Sequence, residues 1–163
     1  MLDTLRQGRQ QLTDRFWRAV AKRLRKHIVS MPYVHGSRER LSVGKDVILN
    51  NATLNTRGGS IRIDDHVIFG HNVSVLTGVH DYTKLAGERD AIEDAARDIT
   101  IGRGAWIASN VTLIGPLTIG EEAVVAAGSV VVRDVPARMI VAGNPARVVR
   151  YISELNDQLR AAG

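Results

Sequence analysis

Several residue types are absent or scarce in this chain, and each absence excludes a kind of chemistry. The 163 residues include no cysteine, which excludes disulfide bonds, thiolate nucleophiles and zinc–thiolate sites. Aromatic residues make up only 4% of the sequence, so small branched side chains must fill the interior. No apolar run approaches the ~20 residues of a membrane-spanning helix, and no signal-peptide pattern opens the chain. We therefore expect one cytoplasmic domain with short appendages.

Positive charge is concentrated at the N-terminus. Residues 1–30 contain eight Arg and Lys against two Asp, a net charge of +6, whereas the whole chain carries +5. A charge confined to one end does not indicate a nucleic-acid groove, so nucleic acid is not an expected partner.

The same segment predicts an amphipathic helix over residues 3–29, because its apolar residues recur mostly four apart. These residues are Leu5, Leu12, Phe16, Val20, Leu24 and Ile28. Two interpretations of the apolar stripe stay open. The helix packs on the main domain or a neighbouring subunit, or it makes peripheral contact with an anionic membrane, at the inner membrane face.

From Leu41 onward, apolar residues recur at every sixth position, and they form two series. The first comprises Val43, Leu49, an imperfect Asn55 and, after a shift of two residues, Ile63, Phe69 and Val75. The second is unbroken and comprises Ile101, Ile107, Leu113, Ile119, Val125 and Val131. A period of six fits neither an α-helix, which repeats at 3.6, nor a half-buried strand, which repeats at 2.

A triangular coil explains this period. If each six-residue unit supplies one short strand and one corner, three units close a turn of about 18 residues. Ile101 would then lie beneath Ile119, and Ile107 beneath Val125. Their side chains would stack inward as apolar ladders, so we predict an all-β solenoid.

This pattern divides the chain into three segments. Residues 1–32 form the N-terminal helical segment, residues 33–147 the solenoid, and residues 148–163 a short C-terminal helix and tail. The terminal helix is expected from Val148 to Leu159. Within the solenoid, the six-residue period is interrupted over residues 80–98, and we place the functional site at the root of this excursion, because long loops on rigid scaffolds tend to carry function.

Three stretches carry a family resemblance: Thr-Gly-Val-His-Asp-Tyr at 77–82, Ile-Gly-Arg-Gly-Ala-Trp-Ile-Ala-Ser at 101–109 and Ala-Gly-Asn-Pro-Ala-Arg-Val-Val-Arg at 142–150. Together they resemble the hexapeptide-repeat acyltransferases, above all the O-acetyltransferases of sugars and exopolysaccharides, such as galactoside and maltose acetyltransferases. The resemblance implies a left-handed parallel β-helix that assembles as a homotrimer. It also implies acetyl-CoA as acyl donor, a sugar-like or glycan acceptor, and no metal.

The resemblance assigns roles to single residues as well. His80 matches a histidine that acts as general base at a subunit interface, since a neutral imidazole takes a proton from the attacking hydroxyl and returns it to the departing thiolate. Asn50 matches an acceptor-binding asparagine, although Asn51 beside it also qualifies. Gly58 stands where galactoside enzymes carry an acceptor-binding carboxylate, so a simple β-galactoside is not the expected acceptor. The residues that match coenzyme A contacts are Ser109, Ala127, Arg133, Arg147 and Arg150.

Two other function classes remain open at this point. The γ-class carbonic anhydrases share the β-helix and bind a metal through three histidines, two of them separated by four residues, as His66 and His71 are here. The third ligand would fall at Ser30, so the set is incomplete. A non-catalytic scaffold is the other alternative, because fold alone does not establish activity.

Overall fold

The computed structural model describes residues 13–21, 24, 31–78, 80–81, 83–89 and 96–152. The chain divides into two compact units, Met1–Met31 and Pro32–Gly163. In the first unit, residues 13–21 are helical, as predicted, and so is Leu24. Phe16 and Trp17 are exposed there, and their rings meet edge to face with centroids 5.5 Å apart. The rest of the predicted helix 3–29 lies outside the described residues.

The second unit is the predicted left-handed parallel β-helix, whose short strands stack into three sheets that we call faces A, B and C. Face A contains β1 (Tyr33–His35), β3 (Thr53–Asn55), β6 (Ser74–Leu76), β9 (Thr112–Ile114) and β12 (Val130–Val131). Face B contains β2 (Leu41–Val43), β4 (Ile61–Ile63), β7 (Ile99–Ile101) and β10 (Leu117–Ile119). Face C contains β5 (Ile68–Phe69), β8 (Trp106–Ile107), β11 (Val124–Val125), β13 (Met139–Gly143) and β14 (Ala146–Tyr151). A 3-10 helix covers Arg38–Arg40.

The chain visits the faces in the order A, B, C, and we name the three bends corner AB, corner BC and corner CA. Ile101 pairs with Ile119, and Ile107 with Val125, so the predicted turn of 18 residues is confirmed. Every member of the second apolar series is at most 2% exposed. Each unit usually also buries the residue two positions earlier, such as Ile99 before Ile101, because alternate strand residues point to the same side.

The first apolar series is only partly correct. Ile63, Phe69 and Val75 are buried, but Val43 is 42% exposed on the edge strand of face B. The inward residue of β3 is Leu54, not Asn55. The reason is an irregular coil: β3 begins five residues after Ile48, whereas β6 begins six residues after Ile68, the partner of Ile48. Thr53 then pairs with Ser74, 21 residues later, because the bend from β3 to β4 is three residues longer than the bend from β9 to β10.

The C-terminal prediction needs correction as well. Residues 148–151 were expected to begin a helix, but they belong to β14, which pairs antiparallel with β13. Gly143 has a φ of 103° and turns the chain back at this hairpin. Val148 and Val149 are β-branched, and their strand pairs with what would otherwise be the open edge of face C. Ile152 is helical, and residues 153–163 lie outside the described residues.

Corner CA is held by a ladder of asparagines. Asn51 Nδ2 donates to Asn72 Oδ1 at 2.6 Å, and Asn72 Nδ2 donates to Asn110 Oδ1 at 3.2 Å. Asn72 and Asn110 have φ of 57° and 60°, a left-handed conformation that asparagine tolerates better than most residues. Asparagine side chains therefore link three successive coils at this corner.

Candidate active site

The excursion leaves the coil at corner AB, after β6, and rejoins it at β7. The point where the chain leaves the coil, which we call the first root, is fixed by Thr77. The N and Oγ1 atoms of Thr77 both donate to Asn55 O, at 3.1 and 2.7 Å. The second root is fixed by Arg97 N, which donates to Gly58 O at 3.0 Å. Asp98 Oδ1 accepts a further bond from Ser60 N at 2.7 Å. Both ends of the excursion are therefore bonded to the chain one coil below.

Gly58 has a packing reason to be glycine in this chain. A Cβ added there would lie 2.4 Å from the Thr77 carbonyl oxygen, and one added at the neighbouring Gly59 would lie 2.7 Å from the Arg97 carbonyl carbon. Backbone atoms cannot yield as a flexible side chain can. A side chain at either position would therefore push apart the two roots of the excursion.

His80 is exposed just beyond the first root, and its Nδ1 lies 2.7 Å from the backbone oxygen of Arg89. A carbonyl oxygen only accepts hydrogen bonds, so Nδ1 must carry a proton. In the neutral imidazole, the lone pair is then on Nε2. The ring is thus oriented with a basic nitrogen directed away from the Arg89 carbonyl.

Asp81 follows His80 and organises the chain beside it. Its Oδ1 accepts hydrogen bonds from Thr83 Oγ1 at 2.6 Å and from Thr83 N at 2.9 Å. The Thr83 hydroxyl contributes most to lowering the pKa of Asp81 below its ordinary value, the Thr83 amide adds to the shift, and the Lys84 ammonium at 4.0 Å adds a smaller effect. Asp81 is therefore held as a carboxylate at neutral pH.

Three of the five predicted coenzyme A contacts lie at corner CA. Ser109 Oγ accepts a hydrogen bond from His71 N at 3.1 Å, and Ser109 O accepts one from Gly128 N, next to Ala127, at 3.0 Å. Gly143 N donates to Ser129 Oγ at 3.1 Å, which brings the turn of the β13–β14 hairpin to the same corner. Arg147 is exposed near the start of β14, two residues after this turn. Ser109, Ala127 and Arg147 therefore lie along one edge.

The other two predicted contacts lie elsewhere. Arg150 pairs with Ile140, at the far end of the hairpin from corner CA. Arg133 follows β12 at corner AB, the corner from which the excursion with His80 departs. Within one chain, His80 and Arg133 therefore lie at one edge of face A. Ser109, Ala127 and Arg147 lie at the opposite edge.

Asn50 also lies at corner CA, and the structure distinguishes it from Asn51. Both side-chain atoms of Asn51 are used in the ladder with Asn72, at 2.6 and 2.8 Å. Asn50 Nδ2 donates to Phe69 O at 2.7 Å, which leaves its Oδ1 available as an acceptor. Of the two asparagines, Asn50 is the one with an unused polar atom, although it lies across face A from His80 in the same chain.

Known proteins resemble this chain over most of its length. A family model described as bacterial transferase hexapeptide (six repeats) matches residues 98–133. A Staphylococcus aureus (strain Mu50) protein named as an acetyltransferase is 31% identical over 156 residues, which cover 92% of this chain and 76% of that protein. The chain belongs to the hexapeptide-repeat transferase family.

Two further proteins that are similar to this chain are named for what they act on or bind. Galactoside O-acetyltransferase of Escherichia coli K12 is 37% identical over 98 residues, covering 58% of this chain and 46% of that enzyme. A crystal structure of a hexapeptide-repeat acetyltransferase from Vibrio cholerae, complexed with acetyl-coenzyme A, matches with a TM-score of 0.64 at 32% identity, covering 74% of this chain and 64% of that one. The chain spans only 28% to 64% of the length of four related proteins.

The structure does not support the carbonic anhydrase alternative, because it does not bring His66 and His71 together. His66 lies at corner BC, with Nδ1 3.7 Å from Asp46 Oδ2, whereas His71 lies at corner CA, at the other end of β5. In the part of the chain that the structure describes, no three His, Cys, Asp or Glu side chains stand close enough to hold a metal ion. The same residues include no helix long and apolar enough to cross a membrane.

The structure adds one residue to the site that the sequence reading missed. Arg89 contacts His80 through its backbone carbonyl, and a carbonyl is present at every position of a chain, so it has no signature in the sequence. The only feature of the sequence that indicated a role for Arg89 was its location inside the 80–98 excursion, where the functional site was expected.

Proposed function

We propose that this protein is an acetyl-CoA-dependent O-acetyltransferase that acts on a hydroxyl of a sugar or glycan precursor, with His80 as general base. The observation that carries the proposal is the contact of 2.7 Å between His80 Nδ1 and the Arg89 carbonyl. This contact orients the imidazole at the start of the excursion so that, in its neutral form, Nε2 is the proton acceptor. Relatives named as acetyltransferases support the same chemistry.

The proposed reaction is direct transfer in a ternary complex. His80 Nε2 takes the proton of the acceptor hydroxyl while its oxygen attacks the thioester carbonyl carbon. The tetrahedral intermediate collapses as the carbon–sulfur bond breaks, and His80 returns the proton to the thiolate, which leaves as the thiol of coenzyme A. The acetyl group is then an ester on the acceptor. With no cysteine in the chain, no thiol nucleophile is available to form an acyl-enzyme.

For the donor, we propose the edge formed at corner CA together with three arginines: Arg147 beside that edge, Arg150 at the far end of the same hairpin, and Arg133 at corner AB of a neighbouring subunit. The Ser109 side chain and the Ala127 backbone would contact the pantetheine arm, which needs polar partners along an extended groove. Arg133, Arg147 and Arg150 would bind phosphate oxygens, because a guanidinium offers two parallel donors to such a group. The acetyl-CoA complex of the Vibrio cholerae relative supports this choice of donor.

For the acceptor, we propose a glycan other than a simple β-galactoside, with Asn50 as a contact. The Escherichia coli relative named for galactoside supports a sugar hydroxyl as the class of acceptor. Gly58, however, supplies no carboxylate, and its close approach to Thr77 leaves no room for one. A role in polysaccharide modification fits this difference.

The assembly we propose is a homotrimer with each site shared between subunits. Two arguments support it. His80 and the corner CA residues lie on opposite edges of face A, so a site that uses both sets is more compact if two chains contribute. Face C also exposes a row of apolar side chains that needs a cover: Ile48, Ile68 and Trp106 are 50%, 46% and 51% exposed.

We propose that the enzyme works in the cytoplasm. We also propose that its basic N-terminal segment makes peripheral contact with the anionic inner face of the membrane, where a lipid-linked glycan acceptor would lie. The net charge of +6 over residues 1–30 supports contact with an anionic surface. Binding to vesicles that contain anionic lipid, lost at high salt, is the expected result.

The test of the proposed function compares purified wild type with His80→Ala and with His66→Ala, an exposed histidine at corner BC. Thiol release from acetyl-CoA is followed against a panel of sugars and glycan precursors. We expect turnover in wild type and His66→Ala, and a loss of at least about 100-fold in His80→Ala, the typical contribution of a positioned general base. Equal turnover in all three proteins would exclude His80 as the base.

Donor binding is tested without knowledge of the acceptor. Isothermal titration with acetyl-CoA should give micromolar binding by wild type, and the double variant Arg147→Ala, Arg150→Ala should bind much more weakly because phosphate partners are lost. No binding by folded wild type would overturn the proposed use of acetyl-CoA.

A further inference from the structure

His80 is oriented by a backbone carbonyl nine residues further along the excursion, so its geometry depends on how residues 80–89 are held. Residues 85–89 are exposed, with Leu85 at 77%, so packing against the core does not fix this part of the excursion. In the described part of the excursion, the contacts that hold the Arg89 carbonyl are therefore those within the segment itself.

The Arg89 side chain supplies two of these contacts. Its Nε and Nη2 both donate to the Lys84 carbonyl oxygen, at 3.0 and 2.9 Å. The backbone bonds nearby are longer, since Glu88 N and Arg89 N donate to Leu85 O at 3.3 and 3.2 Å. Bonds from a charged donor are stronger than neutral ones, and a planar guanidinium fixes direction as well as distance. Arg89 thus closes residues 84–89 with its side chain and presents its own carbonyl to His80.

The other end of this small loop is tied back to the residue after His80. Lys84 N donates to Asp81 O at 3.3 Å, and Lys84 Nζ lies 4.0 Å from Asp81 Oδ2. The contacts therefore form a closed ring that runs from His80 to Arg89, from Arg89 to Lys84, and from Lys84 to Asp81. Removal of the guanidinium opens this ring on the side that holds the carbonyl.

We propose that Arg89 is a positioning residue that selects the His80 tautomer with its proton on Nδ1, an inference that rests on the proposed function. Without the guanidinium, the Arg89 carbonyl loses its fixed place, and a neutral imidazole can then carry its proton on either nitrogen. Molecules with the proton on Nε2 cannot take the acceptor proton at that atom. Arg89 acts through its carbonyl and need not touch substrate.

The kinetic test uses Arg89→Ala, Arg89→Lys and, as matched control, Arg62→Ala. Arg62 is an exposed arginine of β4 and lies outside the excursion. Its Nε is 3.2 Å from Asp64 Oδ1. We expect kcat to fall about 10- to 100-fold in Arg89→Ala, the scale of a misplaced catalytic group, with KM for acetyl-CoA within about 2-fold of wild type. Arg89→Lys should fall between the two, because lysine keeps the charge and loses the fork. Arg62→Ala should match wild type.

A second measurement is independent of turnover. Nitrogen-15 NMR of the His80 ring at neutral pH should give a single Nδ1–H tautomer in wild type and a mixture in Arg89→Ala, with unchanged thermal midpoints. An unchanged tautomer in Arg89→Ala, or an unchanged kcat, would overturn the positioning role. Equal turnover of wild type and His80→Ala would instead overturn the proposed function, and the ring tautomer would still decide what Arg89 does.

Discussion

Faces B and C repeat the same six-residue unit, yet their outer surfaces differ. The outward residues of face B, in register, are Ser42, Arg62, Thr100 and Thr118. Those of face C are Ile48, Ile68, Trp106 and Val124. An apolar row of this kind usually marks a surface that a partner covers, whereas a polar row remains in water. The inward residues thus specify the coil, and the outward residues distinguish face C, which we propose a partner subunit covers, from face B.

The largest expected effect comes from the inner side that both faces share. Ile101 is fully buried and stacks between Ile63 and Ile119 in face B. Ile101→Ala should lower the free energy of unfolding by about 2–5 kcal/mol, because it removes buried methyl groups and leaves a cavity. Urea denaturation measures the change. Thr100→Ala, the outward neighbour on the same strand, should stay within about 0.5 kcal/mol of wild type, and equal losses at both positions would contradict the inward assignment.

The next effect distinguishes the two outer surfaces directly. Trp106→Arg places a charge in the apolar row of face C, and Thr118→Arg places the same charge on face B. We expect Trp106→Arg to raise the dissociation constant of the assembly about 30-fold or more, since a buried aromatic anchor is typically worth at least ~2 kcal/mol in an interface. Thr118→Arg should leave assembly unchanged. Light scattering across a concentration series measures both.

Assembly that survives in Trp106→Arg and fails in Thr118→Arg would reverse the assignment of the covered face. Wild type that is monomeric at every concentration would remove the homotrimer from the proposal, and with it the sharing of the site between subunits.

Sequence periodicity predicted the coil wherever the period of six is regular. The pairing of Ile101 with Ile119 follows from that period alone, because a closed triangle needs three equal units. The prediction was wrong where the unit length changes, as at Asn55, whose place in the core Leu54 takes. It was also wrong at residues 148–151, because the sequence did not reveal that the open edge of face C would pair with them.

The sequence predicted a location for the candidate site but not its geometry. The interruption of the period indicated the excursion, and the family resemblance indicated His80 within it. Two features depend on backbone positions that no side-chain pattern encodes: the Arg89 carbonyl that orients His80, and the approach of Thr77 that requires Gly58. The distribution of Arg133 and Arg147 over two corners likewise follows from the three-dimensional coil rather than from sequence spacing.

The smallest expected effect lies in the excursion, which belongs to neither the polar nor the apolar pattern of the two faces. Thr83→Val removes the hydroxyl that donates to Asp81 at 2.6 Å and keeps the backbone donor, so the pKa of Asp81 should rise towards its ordinary value. Because that pKa is depressed in the folded protein, the contacts of Asp81 are present above the ordinary aspartate pKa and are lost as pH falls through the lowered value. The variant should therefore lose them at a higher pH than wild type during acidification. Turnover at neutral pH should change far less than in Arg89→Ala. Carbon-13 NMR of the Asp81 carboxyl measures the shift in pKa. Identical titration curves for the variant and wild type would show that the Thr83 hydroxyl does not hold this loop.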